Sequence, residues 1–285
     1  MTWRLYRWVW RLESPLFIGM PPAGALNRCR MYVPGRAMWG AVTAEVARSA
    51  GDDFPNYEEI GRTVREKCRF SYLYPAEADG DDYQPWIPRY DKNDGLTWRL
   101  QNSGRFERER DFRRLLIGAR PSTAIAPEMD SAADGTLRET ECILPWWRYD
   151  SEIILDPKPV YLIGYVLIED SQMKDSLESI TTLFLGGDTR YGLGKVRRIA
   201  GINEDTAVFG LTPDLGKDSP TIKSDHVLGH TILEDVSGMY GMRELMGGWH
   251  NGKPIRKQLT WVPGSRSESE KHWEITPDGY WCLSK

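Results

Sequence analysis

From Trp3 to Glu13 tryptophan, leucine, tyrosine and valine alternate with arginine until Ser14-Pro15 breaks the run, which predicts a first strand. Residues 14–33 contain Pro15, Gly19, Pro21, Pro22 and Gly24 and predict a loop. After Pro34-Gly35, the spacing of Met38, Val42 and Val46 among alanines predicts a helix over 36–50, ended by Gly51-Asp52-Asp53. Cys68–Tyr74 reads as a second strand. Residues 75–98, rich in Pro, Gly and Asp, read as a polar excursion, and Leu115–Ile125 with Gly135–Pro145 read as the two arms of a hairpin.

The second half has a clearer pattern. Pro159–Glu169 is an almost unbroken apolar run and predicts a buried strand. Asp170-Ser171 suits a cap for a helix over Gln172–Phe184, with Met173, Leu177, Ile180, Leu183 and Phe184 as its apolar positions. A glycine-rich turn follows, then a strand at 195–202. Strand, helix, glycine loop and strand thus repeat the strand–helix–strand order of the first half. Two such units predict an α+β, ferredoxin-like (RRM-like) core over 1–202 with long hairpin insertions at about 68–150. Residues 203–285 read as a loop-rich extension or partial second module, with a hairpin-like Lys257–Pro263 and a last strand near Gly279–Leu283.

Composition narrows the classes. A chain of 285 residues with 40% hydrophobic and 27% charged residues is that of an ordinary globular protein with a sizeable core. No apolar run approaches the roughly 18 residues of a membrane span, and the start shows no secretory pattern. A cytoplasmic protein with no membrane partner is expected. Cys29, Cys68, Cys142 and Cys282 are far apart and form no CxxC pair, so inert thiols in a reducing compartment are expected. The net charge of −4 excludes a surface that is basic throughout. The basic residues are instead segregated. Arg4, Arg7, Arg11, Arg28, Arg30 and Arg36 face a single acid, Glu13, and Arg190, Lys195, Arg197 and Arg198 face only Asp188. A third cluster, Arg105 to Arg120, is interspersed with Glu107, Glu109 and Asp111 and reads equally well as a solvated helix.

The stretch most informative about chemistry is Leu185-Gly186-Gly187-Asp188-Thr189-Arg190-Tyr191-Gly192-Leu193-Gly194-Lys195-Val196-Arg197. Its glycines free the backbone for close approach to a ligand, and consecutive N–H groups in such a loop form a nest for anions. Arg190, Lys195 and Arg197 add charged donors for phosphate. The alternative is a tight turn that uses glycine sterically. A nucleotide-hydrolysis loop is excluded, since Thr189 stands where its first glycine belongs and Val196 where its hydroxyl belongs. A dinucleotide fingerprint fails because these glycines follow a helix. A nucleic-acid backbone is the better ligand for such a loop.

The pattern GG-x4-G-x-G followed by a basic strand resembles the glycine-rich loop of the RAMP superfamily of CRISPR proteins. Three further segments share the resemblance: Ser14-Pro15-Leu16-Phe17-Ile18-Gly19, Tyr32-Val33-Pro34-Gly35-Arg36-Ala37-Met38-Trp39-Gly40-Ala41, and Arg120-Pro121-Ser122-Thr123-Ala124-Ile125 with Gly135-Thr136-Leu137 and Glu141. Arg36 departs from the family's serine and Trp39 from its basic residue. The resemblance implies a subunit of a type III-like effector, closest to the foot subunit that caps the 5′ handle of the guide RNA. Its partners would be the guide, filament subunits and the large subunit, with target nucleic acid met indirectly. The RNA-binding residues implied are Arg28, Arg30, Arg36, Trp39, Gly186, Gly187, Arg190, Tyr191, Gly192, Gly194, Lys195 and Arg197, with no cofactor or metal.

Catalysis is not expected. The four histidines, His226, His230, His250 and His272, all fall in the tail, away in sequence from the first strand and the glycine loop. Target-cutting relatives place an aspartate after the first strand, whereas residues 14–44 hold no Asp or Glu. A metal-independent guide-processing endoribonuclease and an inactive filament subunit are the alternatives. Exposed members of the twelve tryptophans, such as Trp3, Trp8, Trp10 and Trp39, are candidates for stacking on bases.

Overall fold

A computed structural model describes residues 3–51, 53–149, 157–250 and 253–284. Met1, Thr2, Asp52 and the side chain of His250 lie outside the described residues. The chain is a mixed α/β protein. Strand β1 (Arg4–Leu12) is central in the main sheet, flanked by β8 (Tyr161–Ile168) on one side and β10 (Lys195–Arg198) on the other, both antiparallel. Strands β2 (Cys68–Phe70) and β3 (Tyr74–Asp79) both pair antiparallel with β8. The order across the centre is therefore β10–β1–β8–β2. Helix α1 (Gly35–Ser49) packs against β2 and neighbours α4 (Ser171–Ser179), which lies on β8. Helix α2 (Tyr57–Lys67) packs on α1 and leads into β2.

Local sequence explains the boundaries. Pro34 caps α1 in an extended conformation that its ring favours. Gly35 is dictated by space, because a Cβ there would lie 2.5 Å from the Phe70 carbonyl oxygen. Asp170 caps α4 by accepting the Gln172 N–H at 2.8 Å. The helix ends at Ser179, and Thr182–Phe184 (β9) pairs with β10 as an edge strand. The expected helix to Phe184 was thus too long: the two threonines favour extended backbone, and β10 offers a pairing partner.

Residues 75–98 are not an excursion. They extend the sheet through β3, β4 (Asp82–Asp91) and β5 (Gly95–Leu100). Pro85 and Pro88 argue locally against a strand, but packing overrides them. Trp98 stacks on Phe112 with ring centroids 4.4 Å apart, Trp86 closes the same cluster, and all three are buried. Phe112 belongs to α3 (Glu109–Leu116), so the arginine-rich segment is a helix with one apolar face. It feeds β6 (Ile117–Ser122), which pairs antiparallel with β7 (Arg138–Ile143) as the expected hairpin.

The tail is also richer in strands than expected. Strands β11 (Thr221–His226), β14 (Arg266–Ile275) and β15 (Trp281–Leu283) belong to one sheet; β12 (Arg243–His250) and β13 (Lys253–Trp261) form an antiparallel pair in another. These strands carry many polar residues and owe their pairing to distant partners, so a local reading returns loops. The tail packs on the first half, where Tyr74 Oη donates to the Leu228 carbonyl at 3.0 Å. Trp3, Trp8, Trp10, Trp86, Trp98 and Trp147 are all buried, which removes them as stacking residues; their role is core packing. Cys29, Cys68 and Cys142 are buried free thiols, and burial pushes the Cys29 thiol up to about 12. Among the described residues no helix is long and apolar enough to cross a membrane.

Candidate nucleic-acid interface

The glycine-rich segment forms a rigid bracket between β9 and β10. Gly186 (φ 78°) and Gly194 (φ 80°) occupy left-handed backbone against other main chain: a Cβ would lie 2.2 Å from the Phe17 oxygen at the first and 2.0 Å from the Leu185 oxygen at the second. Gly187 N–H donates to Phe17 O at 2.9 Å and Gly194 N–H to Pro15 O at 2.8 Å. Part of the glycine content is therefore steric, and these two N–H groups are not available to an anion. Between the packed ends, Thr189–Tyr191 makes one exposed turn, with Tyr191 66% exposed. Gly192 (φ 82°) has open space where a Cβ would stand.

Segment 14–19 ties this bracket to the hairpin. Ser14 Oγ accepts the Lys195 N–H at 2.9 Å, and Leu16 exchanges main-chain hydrogen bonds with Ile143 at 2.9 and 2.8 Å. Three segments remote in sequence thus converge. Between the loop and the hairpin lies a cleft of about 470 Å³. Arg120 and Arg138 line it from the hairpin, and Asp188, Tyr191 and Leu193 from the loop. The Arg138 guanidinium lies 5.8 Å from the Tyr191 ring centroid. Arg120 and Arg190 are exposed and make no ion pair among the described residues. A cleft with two arginines on the hairpin wall and an exposed aromatic ring on the loop wall suits a polyanion that carries flat bases.

The residues proposed from sequence divide among different places. Gly186, Gly187, Arg190, Tyr191, Gly192 and Gly194 belong to the bracket. Lys195 and Arg197 follow it on β10 and both reach Glu13, at 2.9 and 2.6 Å. Lys195 first, then Arg197, holds the Glu13 carboxyl below its ordinary value. Trp39 is half-buried and donates Nε1–H to Gly61 O at 2.8 Å, joining α1 to α2. Arg36 sits half-buried at the start of α1. Arg28 lines a second cleft, beside Glu109 and Arg113. Arg138 was not singled out from sequence; it precedes Glu139 and Glu141 in an otherwise polar strand, and only the strand register places it beside the loop.

Arg30 is turned inward. Its guanidinium pairs with Glu244 at 3.1 Å, and both side chains are largely buried. Tyr32 Oη donates to Glu244 Oε1 at 2.9 Å, Tyr72 Oη lies 2.6 Å from His230 Nδ1, and His230 Nε2 contacts the same carboxylate. The network fits a neutral His230 that accepts a hydrogen bond from the Tyr72 hydroxyl on Nδ1 and donates one from Nε2–H to Glu244. Burial holds His230 below its ordinary 6.5. His226 is bonded to Asp225 at 2.8 Å, and His272 is exposed on β14. Among the described residues lining the loop–hairpin cleft there is no histidine.

No protein-family model and no curated relative matches this chain. Its fold is similar to that of a chain in the type III-B Cmr-beta complex bound to cognate target RNA and AMPPnP, at 10% identity and a TM-score of 0.55, over 92% of this chain and 85% of that one. A chain from Cmr-beta bound to cognate target RNA is similar at 11% identity and a TM-score of 0.53, over 92% and 86%. Identity at this level speaks for a shared fold.

Proposed function

We propose that this chain is a non-catalytic RNA-binding subunit of a type III CRISPR effector, holding guide RNA in the cleft between the glycine-rich loop and the β6–β7 hairpin. The observation that carries this reading is the convergence there of Arg120, Arg138 and Tyr191, against a bracket whose backbone is locked and whose exposed turn carries Arg190. The fold shared with chains of Cmr-beta supports it. So does the antiparallel order β10–β1–β8–β2, with α1 and α4 beside one another, which is the arrangement of a ferredoxin-like module.

Binding without cleavage is the reading favoured by the chemistry on hand. Metal-free RNA cleavage needs a proton-transfer pair within reach of the strand. Among the described residues lining the cleft, Asp188 is the one carboxylate and no histidine stands with it to complete such a pair, while His230 is fully buried and His226 is held by Asp225. The absence of Asp and Glu from residues 14–44 speaks against a target-cutting filament position and favours the foot of the complex, at the 5′ handle of the guide, ahead of an inactive filament position; the neighbouring subunits would be its protein partners in the cytoplasm.

Filter binding of guide RNA to the purified chain tests the reading. Arg120→Ala, Arg138→Ala and Arg190→Ala each weaken binding, and incubation with repeat RNA in EDTA leaves the RNA intact. Unchanged affinity in all three variants would overturn the site, and a defined cut would overturn the non-catalytic role.

A further inference from the structure

The loop–hairpin cleft is not uniformly basic. Asp188 lines it together with Arg120, Arg138 and Tyr191. Its backbone is left-handed, at φ 56°. Asp and Asn enter that region more readily than other side chains, so the turn explains a short polar residue but not its charge. The Asp188 carboxylate makes no hydrogen bond or ion pair among the described residues. A phosphate placed beside it would be repelled. The acid therefore works against the backbone of the RNA and suits a ligand group that donates hydrogen bonds.

We propose that Asp188 reads a guanine of the bound RNA, its two carboxylate oxygens accepting N1–H and N2–H from the Watson–Crick edge while Tyr191 and Arg138 wall the base. The inference rests on the RNA-binding reading above and adds a base preference to it. An ionised carboxylate only accepts. Guanine alone among the four RNA bases presents two adjacent donors on that edge. Uracil presents one donor between two acceptors, and adenine and cytosine present an amino group beside a ring nitrogen whose lone pair would face the carboxylate. Unpaired RNA leaves this edge open to side chains. The ring and guanidinium, 5.8 Å apart, supply flat surfaces for the base. The cleft, at about 470 Å³, is of the size that takes a small ligand.

The test measures binding of the full chain to a short oligouridine in which one guanosine is moved along the strand. Inosine, adenosine and 2′-deoxyguanosine are then placed at the best position. The expected result is one position where guanosine binds roughly ten-fold tighter than inosine or adenosine, with 2′-deoxyguanosine equal to guanosine. Asp188→Asn, which keeps the left-handed turn, removes that preference and raises affinity for plain oligouridine, because the charge that repels phosphate is gone. The inference is overturned if oligouridine binds but no position prefers guanosine, if the preference survives Asp188→Asn, or if the 2′-deoxy substitution abolishes it, which would put the carboxylate on the ribose. Absence of binding to any of these RNAs overturns the RNA-binding reading itself, and the base preference with it.

Discussion

The carbonyl oxygen of Leu185 lies 2.0 Å from the point where a Cβ on Gly194 would stand, while the Leu185 N–H donates to the Gly194 oxygen at 2.8 Å. The two residues close the base of the loop, and the exposed turn between them inherits its position from that closure. Gly194→Ala is expected to destabilise the chain by more than about 3 kcal/mol, since a methyl would meet main chain that cannot move aside. Gly192→Ala, with the same sign of φ but open space, costs about 1 kcal/mol. Urea unfolding of the two variants checks the contrast.

The cations around the loop are not equivalent. Arg190 and Arg120 have no carboxylate partner among the described residues, whereas Lys195 and Arg197 share Glu13. Removing Arg190 or Arg120 is expected to weaken RNA binding and to lower the slope of log affinity against log salt by about 1 each. Lys195→Ala has a smaller effect. Glu13→Gln frees both cations and raises affinity at low salt. Salt titrations of binding with the single variants measure each slope.

Much of this was legible in the sequence because it is local. The alternation of Trp3–Glu13, the apolar run of Pro159–Glu169 and the Pro34-Gly35 helix entry each state their element within a few residues, and the structure follows them. What depends on distant partners was not legible. Pro88 opposes Trp98 in a strand pair that only the aromatic cluster around Phe112 makes favourable. Arg30 sits among other arginines in the sequence, yet its partner is 214 residues away at Glu244. The glycine loop was visible as a motif; the cleft was not, since its other wall comes from a hairpin whose register had to place Arg138 beside Tyr191.

The buried cluster that joins the tail to the first half predicts acid sensitivity. Burial pushes the Glu244 carboxyl up, but His230 and then Arg30 outweigh it and hold it at about 2, below its ordinary 4.5. His230 itself stays neutral below its ordinary 6.5. For both groups the unfolded chain takes up the proton first as pH falls. Their stabilisation is therefore full above 6.5, declines below it as His230 protonates in the unfolded chain, and loses the Glu244 share as pH falls from 4.5 towards about 2. Glu244→Gln leaves the Arg30 charge buried without its partner and is expected to cost about 3–5 kcal/mol at neutral pH. Thermal unfolding of both proteins across this pH range shows whether the variant flattens the profile between 4.5 and 2.

Contact between RNA and the exposed turn of the glycine loop is what the proposed function requires first. Guide RNA carrying 4-thiouridine, bound to the chain and irradiated, reports that contact through mass spectrometry of the adducted peptides. Adducts on the peptide spanning Asp188 to Gly192, joined by others on the hairpin around Arg138, are the outcome expected here. Guide RNA that binds tightly yet crosslinks only to other parts of the chain would contradict it.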